Sequence, residues 1–152
     1  MSLAEHFADR DKIAVVLGDN IIEGNIRAAA EEFRQQKDGA RILLKEVPDP
    51  QRFGVPVFEG EKIIRVEEKP ANPASNYAVI GIYMYDYRVF EFIKSLKPSQ
   101  RGELEITDVN NFYIREGKMQ WNLLDGWWSD AGTFESLQSA GNMVAKTGAN
   151  KI

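Results

Sequence analysis

Ile13-Ala14-Val15-Val16-Leu17-Gly18-Asp19-Asn20 is a run of five apolar residues closed by a glycine, a carboxylate and an amide. With Ile13, Val15 and Val16 β-branched, the run predicts a short strand buried on both faces. In open α/β sheets the ligand crevice lies beyond the carboxyl ends of the strands. Asp19 therefore stands where a carboxylate can hold a hard cation or orient a phosphate group. Read alone, Asp19-Asn20 is more simply an ordinary turn, which both residue types favour. The rest of the chain decides between the two.

Downstream, Ile22, Ile26, Ala29, Ala30 and Phe33 recur at helical spacing, with Glu31, Glu32, Arg34 and Lys37 off that face. Gly39 marks the stop. Arg41 to Val47 then predicts a second buried strand. Strand, helix and strand at this spacing suggest a βαβ unit, whose crossover is nearly always right-handed.

The chain of 152 residues, 43% apolar and 28% charged, fits one domain with a real core. A net charge of −4 with no long basic run argues against a nucleic-acid or membrane surface. No apolar segment reaches spanning length, and no secretory h-region is seen among these residues. The absence of cysteine excludes disulfides and thiolate metal sites and is compatible with the cytoplasm. The single His6 excludes a three-histidine zinc site. Met1-Ser2-Leu3 reads as an expression leader. With the short polar lead-in to Ile13, it suggests a piece of a longer protein.

Pro48, Asp49 and Pro50 interrupt regular structure. Phe53 to Phe58 and Lys62 to Glu67 predict a hairpin turning at Glu59-Gly60-Glu61. Pro56 removes a ladder donor and points to an edge or bulged position. In Glu67-Glu68-Lys69-Pro70 the proline should hold Lys69 extended. Taken alone, that segment is a solvated charge cluster. Tyr77 to Tyr85 predicts a long apolar strand, in which Gly81 marks close approach by a ligand or another backbone. Asp86 is a candidate N-cap for a helix carrying Val89, Phe90, Ile93 and Leu96.

Arg101-Gly102 leads to an acidic cluster, Glu103, Glu105 and Asp108, that suits a helix start. The helix carries Ile106, Val109, Phe112 and Tyr113. Met119 to Leu124 reads as a strand. Asp130 falls in the loop that follows, and Thr133 is a candidate N-cap for a closing helix with Phe134, Leu137, Ala140 and Val144 inward. Trp127 and Trp128 suit core or subunit packing. No Walker loop, Gly-x-Ser-x-Gly elbow or His-Glu-x-x-His motif occurs. The expected architecture is α/β: a mixed, mostly parallel sheet flanked by helices, with a small antiparallel hairpin layer.

Four segments in order carry a resemblance: Leu17-Gly18-Asp19-Asn20; Arg52-Phe53-Gly54-Val55 with Glu67-Glu68-Lys69-Pro70; Arg101-Gly102-Glu103-Leu104-Glu105-Ile106-Thr107-Asp108; and Trp128-Ser129-Asp130-Ala131-Gly132-Thr133. From Ile13 to about Ala140 the chain resembles the sugar-1-phosphate nucleotidyltransferases, above all the thymidylyltransferase branch that serves dTDP-rhamnose synthesis. The resemblance implies attack of a glucose 1-phosphate oxygen on the α-phosphorus of dTTP, with pyrophosphate leaving in line. It implies Mg²⁺ held by Asp19 and Asp130. Lys69 would bind the sugar phosphate with Arg101 as a second cation. Glu68, Asn20 and the backbone at Gly54 and Val79 would contact the sugar. Phe53 stands where many members have tyrosine, and Pro56 departs from the usual strand sequence.

The Gly-rich loop with Arg and Lys that holds the triphosphate in this family is not among these 152 residues. The chain therefore resembles the second, sugar-binding part of such an enzyme, and little activity is expected from it alone. The missing strands would leave an uncovered sheet edge that invites self-association, and the resemblance implies a tendency to homo-oligomers. Uridylyl, cytidylyl or adenylyl transfer stays open, because base choice resides mainly in the missing part. A non-catalytic sugar-phosphate-binding module stays open as well.

Overall fold

The computed structural model describes residues 1–98, 102 and 104–149. After a short helical lead-in with α1 (Glu5–Ala8), the chain forms β1 (Ile13–Val16), β2 (Asn20–Ile22), α2 (Arg27–Gln35) and β3 (Ala40–Glu46). The hairpin β4 (Gly54–Glu59) and β5 (Lys62–Glu68) follows, then β6 (Tyr77–Tyr85) and α3 (Val89–Ser95). The chain closes with α4 (Ile106–Arg115), β7 (Met119–Leu123), β8 (Trp128–Asp130) and α5 (Phe134–Thr147).

The main sheet runs β5-β4-β6-β3-β7, with β1 also on β6, while β2 and β8 form a separate two-stranded ribbon. The central strand β6 buries eight of its nine residues, as its unbroken apolar run requires. Its even-numbered side chains Ile80, Ile82 and Met84 pack with Leu43 against Ala29 and Phe33 of α2. Tyr83 and Tyr85 pack with Ile42 and Leu44 against Val89 and Phe90 of α3 and Val109 and Tyr113 of α4. This strict alternation gives a sheet with helices on both faces.

The mixed α/β architecture and the hairpin agree with the sequence reading, but the sheet is not mostly parallel. Among the described residues only β3 and β7 pair in parallel; β6 is antiparallel to β1, β3 and β4. β1 and β3 run the same way and α2 connects them, but β6 is inserted between, so the βαβ unit is split. An apolar run reports burial on two faces, not strand direction. Nor is β1 buried on both faces: Ile13 and Val15 lean on the core while Val16 is 54% exposed.

Ile22 is not helical. It pairs with Trp128 in the ribbon, and α2 starts later, where Asn25 Oδ1 accepts a hydrogen bond from Arg27 N at 2.9 Å. Asp86 is not the N-cap of α3, which is Arg88. Its carboxylate instead receives Gly39 N and Tyr113 Oη, each at 2.7 Å, and the Arg88 guanidinium. Pro56 needs no ladder donor because it sits opposite Val66 where β4 has parted from β6; its carbonyl accepts Ser75 Oγ at 2.8 Å. The bulge follows between Val57 and Phe58.

Thr133 caps α5 through a capping box with Ser136, as expected. Of the apolar stripe behind it, only Ala140 is buried; Phe134 is 92% exposed and Leu137 and Val144 are exposed too. The expected inward face of α5 thus lies open. Among the described residues no helix is long and apolar enough to cross a membrane.

Candidate functional site

One edge of β6 is shared by two strands. β1 takes Ile82 to Tyr85, and β4 meets the edge at Val79. Between them Gly81 presents a backbone N–H and C=O that neither strand answers. The turn after β1 answers both, since Leu17 N donates to Gly81 O and Gly81 N donates to Asn20 Oδ1, each at 2.8 Å. A β-carbon on Gly81 would lie 2.8 Å from Asn20 Cγ and 2.9 Å from Leu17 Cδ1. The close approach expected at Gly81 is therefore made by the chain's own Asn20.

Asn20 also joins the ribbon to this turn. Its Oδ1 accepts Trp128 Nε1 at 2.7 Å, and its Nδ2 donates to Asp19 Oδ1 at 2.8 Å. In the β2–β8 ladder Asn20 stands opposite Asp130, and Ala131 N donates to Asp19 O at 2.6 Å. The two carboxylates converge as a result: a β-carbon on Gly132 would lie 3.6 Å from Asp19 Oδ2 and 3.9 Å from Asp130 Oδ2. Arg52 approaches the second, with Nη2 3.8 Å from Asp130 Oδ2, while Nη1 pairs with Asp49 at 2.8 Å.

A cleft of about 290 Å³ opens where β1 and β4 diverge. Val79, Gly81 and Tyr83, successive on one face of β6, form its floor. The hairpin supplies Gly54, Glu68 and Lys69, and α4 supplies Ile106, Thr107 and Asn110. Asp19, Asn20, Asp130, Arg52, Phe53 and Trp128 close the other side. Every described site residue expected from the sequence, namely Asp19, Asn20, Gly54, Glu68, Lys69, Val79 and Asp130, lines this one cleft. Arg101 lies outside the described residues.

Local geometry shapes each side chain. Thr107 Oγ1 donates to Glu68 Oε2 at 2.6 Å, which fixes one carboxylate oxygen and leaves the other for a ligand. Lys69 is not extended: its φ is +44°, a left-handed conformation costly for a side chain of this size. Its amide donates to Phe53 O at 3.0 Å, so closure of the hairpin base wins over the preference that Pro70 sets. Among the described residues its ammonium has no ion-pair partner. Burial, with the charges of Glu68 and Asp19 in support, pushes the Tyr83 hydroxyl far above its ordinary pKa and keeps it neutral.

The sequence reading missed Arg52, Tyr83, Thr107, Asn110 and Trp128 as cleft residues. Tyr83 sits inside an apolar strand that reads as core, and Thr107 and Asn110 stand between the helical positions Ile106, Val109, Phe112 and Tyr113 that carry the apolar pattern. Trp128 stands two residues before Asp130, and its indole fixes Asn20 while its ring meets Phe53 edge-on at 5.2 Å. Phe53 thus has a packing role where a tyrosine hydroxyl was expected to be missed.

Two converging carboxylates and an ammonium that has no ion-pair partner among the described residues line one cleft, which can bind a cation and an anion. Magnesium takes oxygen ligands and keeps several waters, so a site with two carboxylates fits it. Among the described residues no group of three or more His, Asp or Glu gathers as a fuller cage would require.

The family model described as nucleotidyl transferase matches residues 1–147. A glucose-1-phosphate thymidylyltransferase of Neisseria meningitidis is 42% identical over 146 residues, covering 93% of this chain and 51% of that protein. The crystal structure of a Bacillus anthracis protein assigned as a glucose-1-phosphate thymidylyltransferase, in complex with sucrose, superposes with a TM-score of 0.88 at 54% identity. It covers 93% of this chain and 58% of that one. A UDP-glucose pyrophosphorylase complexed with UDP-glucose shares the fold, with a TM-score of 0.83 at 23% identity over 95% of this chain and 60% of that one. The chain spans about half the length of the curated relatives it matches. By this match and these likenesses, the chain belongs to the nucleotidyl transferase family.

Proposed function

We propose that the cleft is the sugar-1-phosphate half of a nucleotidyltransferase site, serving transfer of a thymidylyl group from dTTP to glucose 1-phosphate. The observation that carries this reading is the gathering of all seven described candidate residues around one cleft. Asp19 and Asp130 would hold Mg²⁺, which would neutralise charge on the phosphates. Lys69 binds the sugar phosphate and brings its oxygen toward the α-phosphorus. That oxygen forms the new P–O bond as the bond to pyrophosphate breaks. Little covalent chemistry is asked of the protein, so alignment and charge do the catalysis. Glu68 accepts from a sugar hydroxyl, Asn20 and the backbone of Gly54 and Val79 fix the ring, and Arg101 supplies a second cation.

The relatives named for thymidylyl transfer support the choice of base, which these residues do not themselves read. A pyrophosphate-release assay with glucose 1-phosphate and each of dTTP, UTP, CTP and ATP tests the account. This chain alone should release pyrophosphate near the uncatalysed rate, because no Gly-rich triphosphate loop is among its residues. Enzyme-like turnover by this chain would contradict that division of labour. In a protein that joins it to such a loop, preference for a base other than dTTP would contradict the thymidylyl assignment.

A further inference from the structure

Helix α4 is pinned to the edge of β5 by Asn111, whose Oδ1 accepts Val66 N at 2.7 Å and whose Nδ2 donates to Val66 O at 2.8 Å. Thr107 and Asn110, three residues apart on the helix and so on one face, both line the cleft. Thr107 is satisfied by Glu68. Asn110 is not. It is 1% exposed, its Oδ1 accepts Tyr85 Oη at 2.7 Å, and among the described residues its Nδ2 has no hydrogen-bond partner.

Leaving a buried amide donor unpaired is costly, and native structures do so rarely. Tyr85, the partner of Asn110, stacks in the core on Tyr113, and Asn110 itself is among the residues that line the cleft. We infer that Asn110 Nδ2 donates to a hydroxyl oxygen of the bound sugar and helps decide which sugar the cleft accepts. This rests on the proposal that the cleft holds a sugar 1-phosphate. A neutral donor on the α4 wall, beside a carboxylate that accepts, suits a neutral polyol. The Glu68 charge disfavours the phosphate there, and the phosphate belongs by Lys69. Donor and acceptor together read a hydroxyl more sharply than either alone.

The test is calorimetric binding of glucose 1-phosphate and its monodeoxy analogues, with Mg²⁺, to the wild type, Asn110→Ala and Tyr85→Phe. One deoxy analogue should bind the wild type about tenfold more weakly, the worth of one hydrogen bond. Asn110→Ala should be indifferent to that same deletion and keep wild-type discrimination at the other positions. Tyr85→Phe, which keeps the amide, should keep the whole pattern. If Asn110→Ala does not fold, Tyr85→Phe/Asn110→Ala, which leaves no orphaned phenol, gives the same readout. In the wild type, the Asn110 side-chain amide resonance should move with glucose 1-phosphate and not with that analogue. Unchanged discrimination on loss of the amide, or a silent amide resonance on saturation, would overturn the inference. A wild type that binds no sugar 1-phosphate would overturn the cleft assignment itself, and the inference with it.

Discussion

The Asn20 carboxamide occupies the space that a side chain at residue 81 would need, and its Oδ1 receives the Gly81 amide at 2.8 Å. This contact turns an unpaired stretch of strand edge into the anchor of a cleft. It also fixes the neighbouring Asp19, through the 2.8 Å bond from Asn20 Nδ2. Gly81→Ala should therefore displace Asn20 and cost about 2 kcal/mol, typical of overpacking. Chemical denaturation measures this. Adding Asn20→Ala should return part of the stability without returning divalent-cation affinity, because Asp19 stays unanchored.

Lys69 carries a left-handed backbone at φ +44° next to a proline. Strain of this kind is held where a side chain has a use. Lys69→Gly should relieve about 1 kcal/mol of it, offset in part by the entropy that glycine loses on folding. The variant should be at least as stable as the wild type by thermal melting, yet bind glucose 1-phosphate more weakly. A clear loss of stability would mean that the Lys69 side chain is structural.

The paired carboxylates lead to a metal prediction. Asp19→Asn and Asp130→Asn should each lower Mn²⁺ affinity at least about tenfold, or about 1.4 kcal/mol, by calorimetry. The fold should persist in both, because Asp19 is exposed and Asp130 only half-buried. Arg52, 3.8 Å from Asp130, should modulate this in the other direction: Arg52→Gln removes a competing cation and should tighten Mn²⁺ binding.

Asp86 should contribute to the fall of stability in acid. Burial pushes its pKa up, but the Arg88 guanidinium, the Gly39 amide and the Tyr113 hydroxyl outweigh this and hold the carboxyl below its ordinary range. A lowered folded pKa contributes stability that is fully present above the unfolded value of about 3.9 and is lost as pH falls through the folded value. Asp86→Asn should cost about 2 kcal/mol at pH 7. It should also flatten the fall in stability below about pH 4 relative to the wild type, measured by urea titration at each pH. Parallel curves for the two proteins would contradict the assignment.

Much of this site is legible through the resemblance, whose segments stand mostly at element ends beside a breaker; read alone, Asp19-Asn20 is a turn and Glu67-Glu68-Lys69-Pro70 a charge cluster. Gly18 precedes Asp19, Pro70 follows Lys69, and Gly132 follows Asp130 by two. The β6 strand reads correctly from Tyr77 to Tyr85 because nothing within its apolar run competes. What escapes the sequence depends on neighbours. The direction of β1 relative to β6 is set by which strand fills the slot between β1 and β3. Lys69 takes its backbone from a hydrogen bond to Phe53, sixteen residues back. The stripe of α5 has helical period yet no described surface to cover it, and periodicity cannot report whether a partner is present. Tyr83 looks like core because it is core on one side and cleft on the other, and Asn110, a polar residue off the apolar pattern, gives no sign in the sequence that it is buried.

The most direct test of the cleft is an NMR titration of the isotope-labelled chain with glucose 1-phosphate and Mg²⁺, run beside Lys69→Ala. The account predicts dispersed spectra with saturable shifts at Asn20, Gly54, Val79 and Gly81, and much weaker shifts in Lys69→Ala. A dispersed spectrum that glucose 1-phosphate leaves unmoved, or one that moves equally in both proteins, would contradict it.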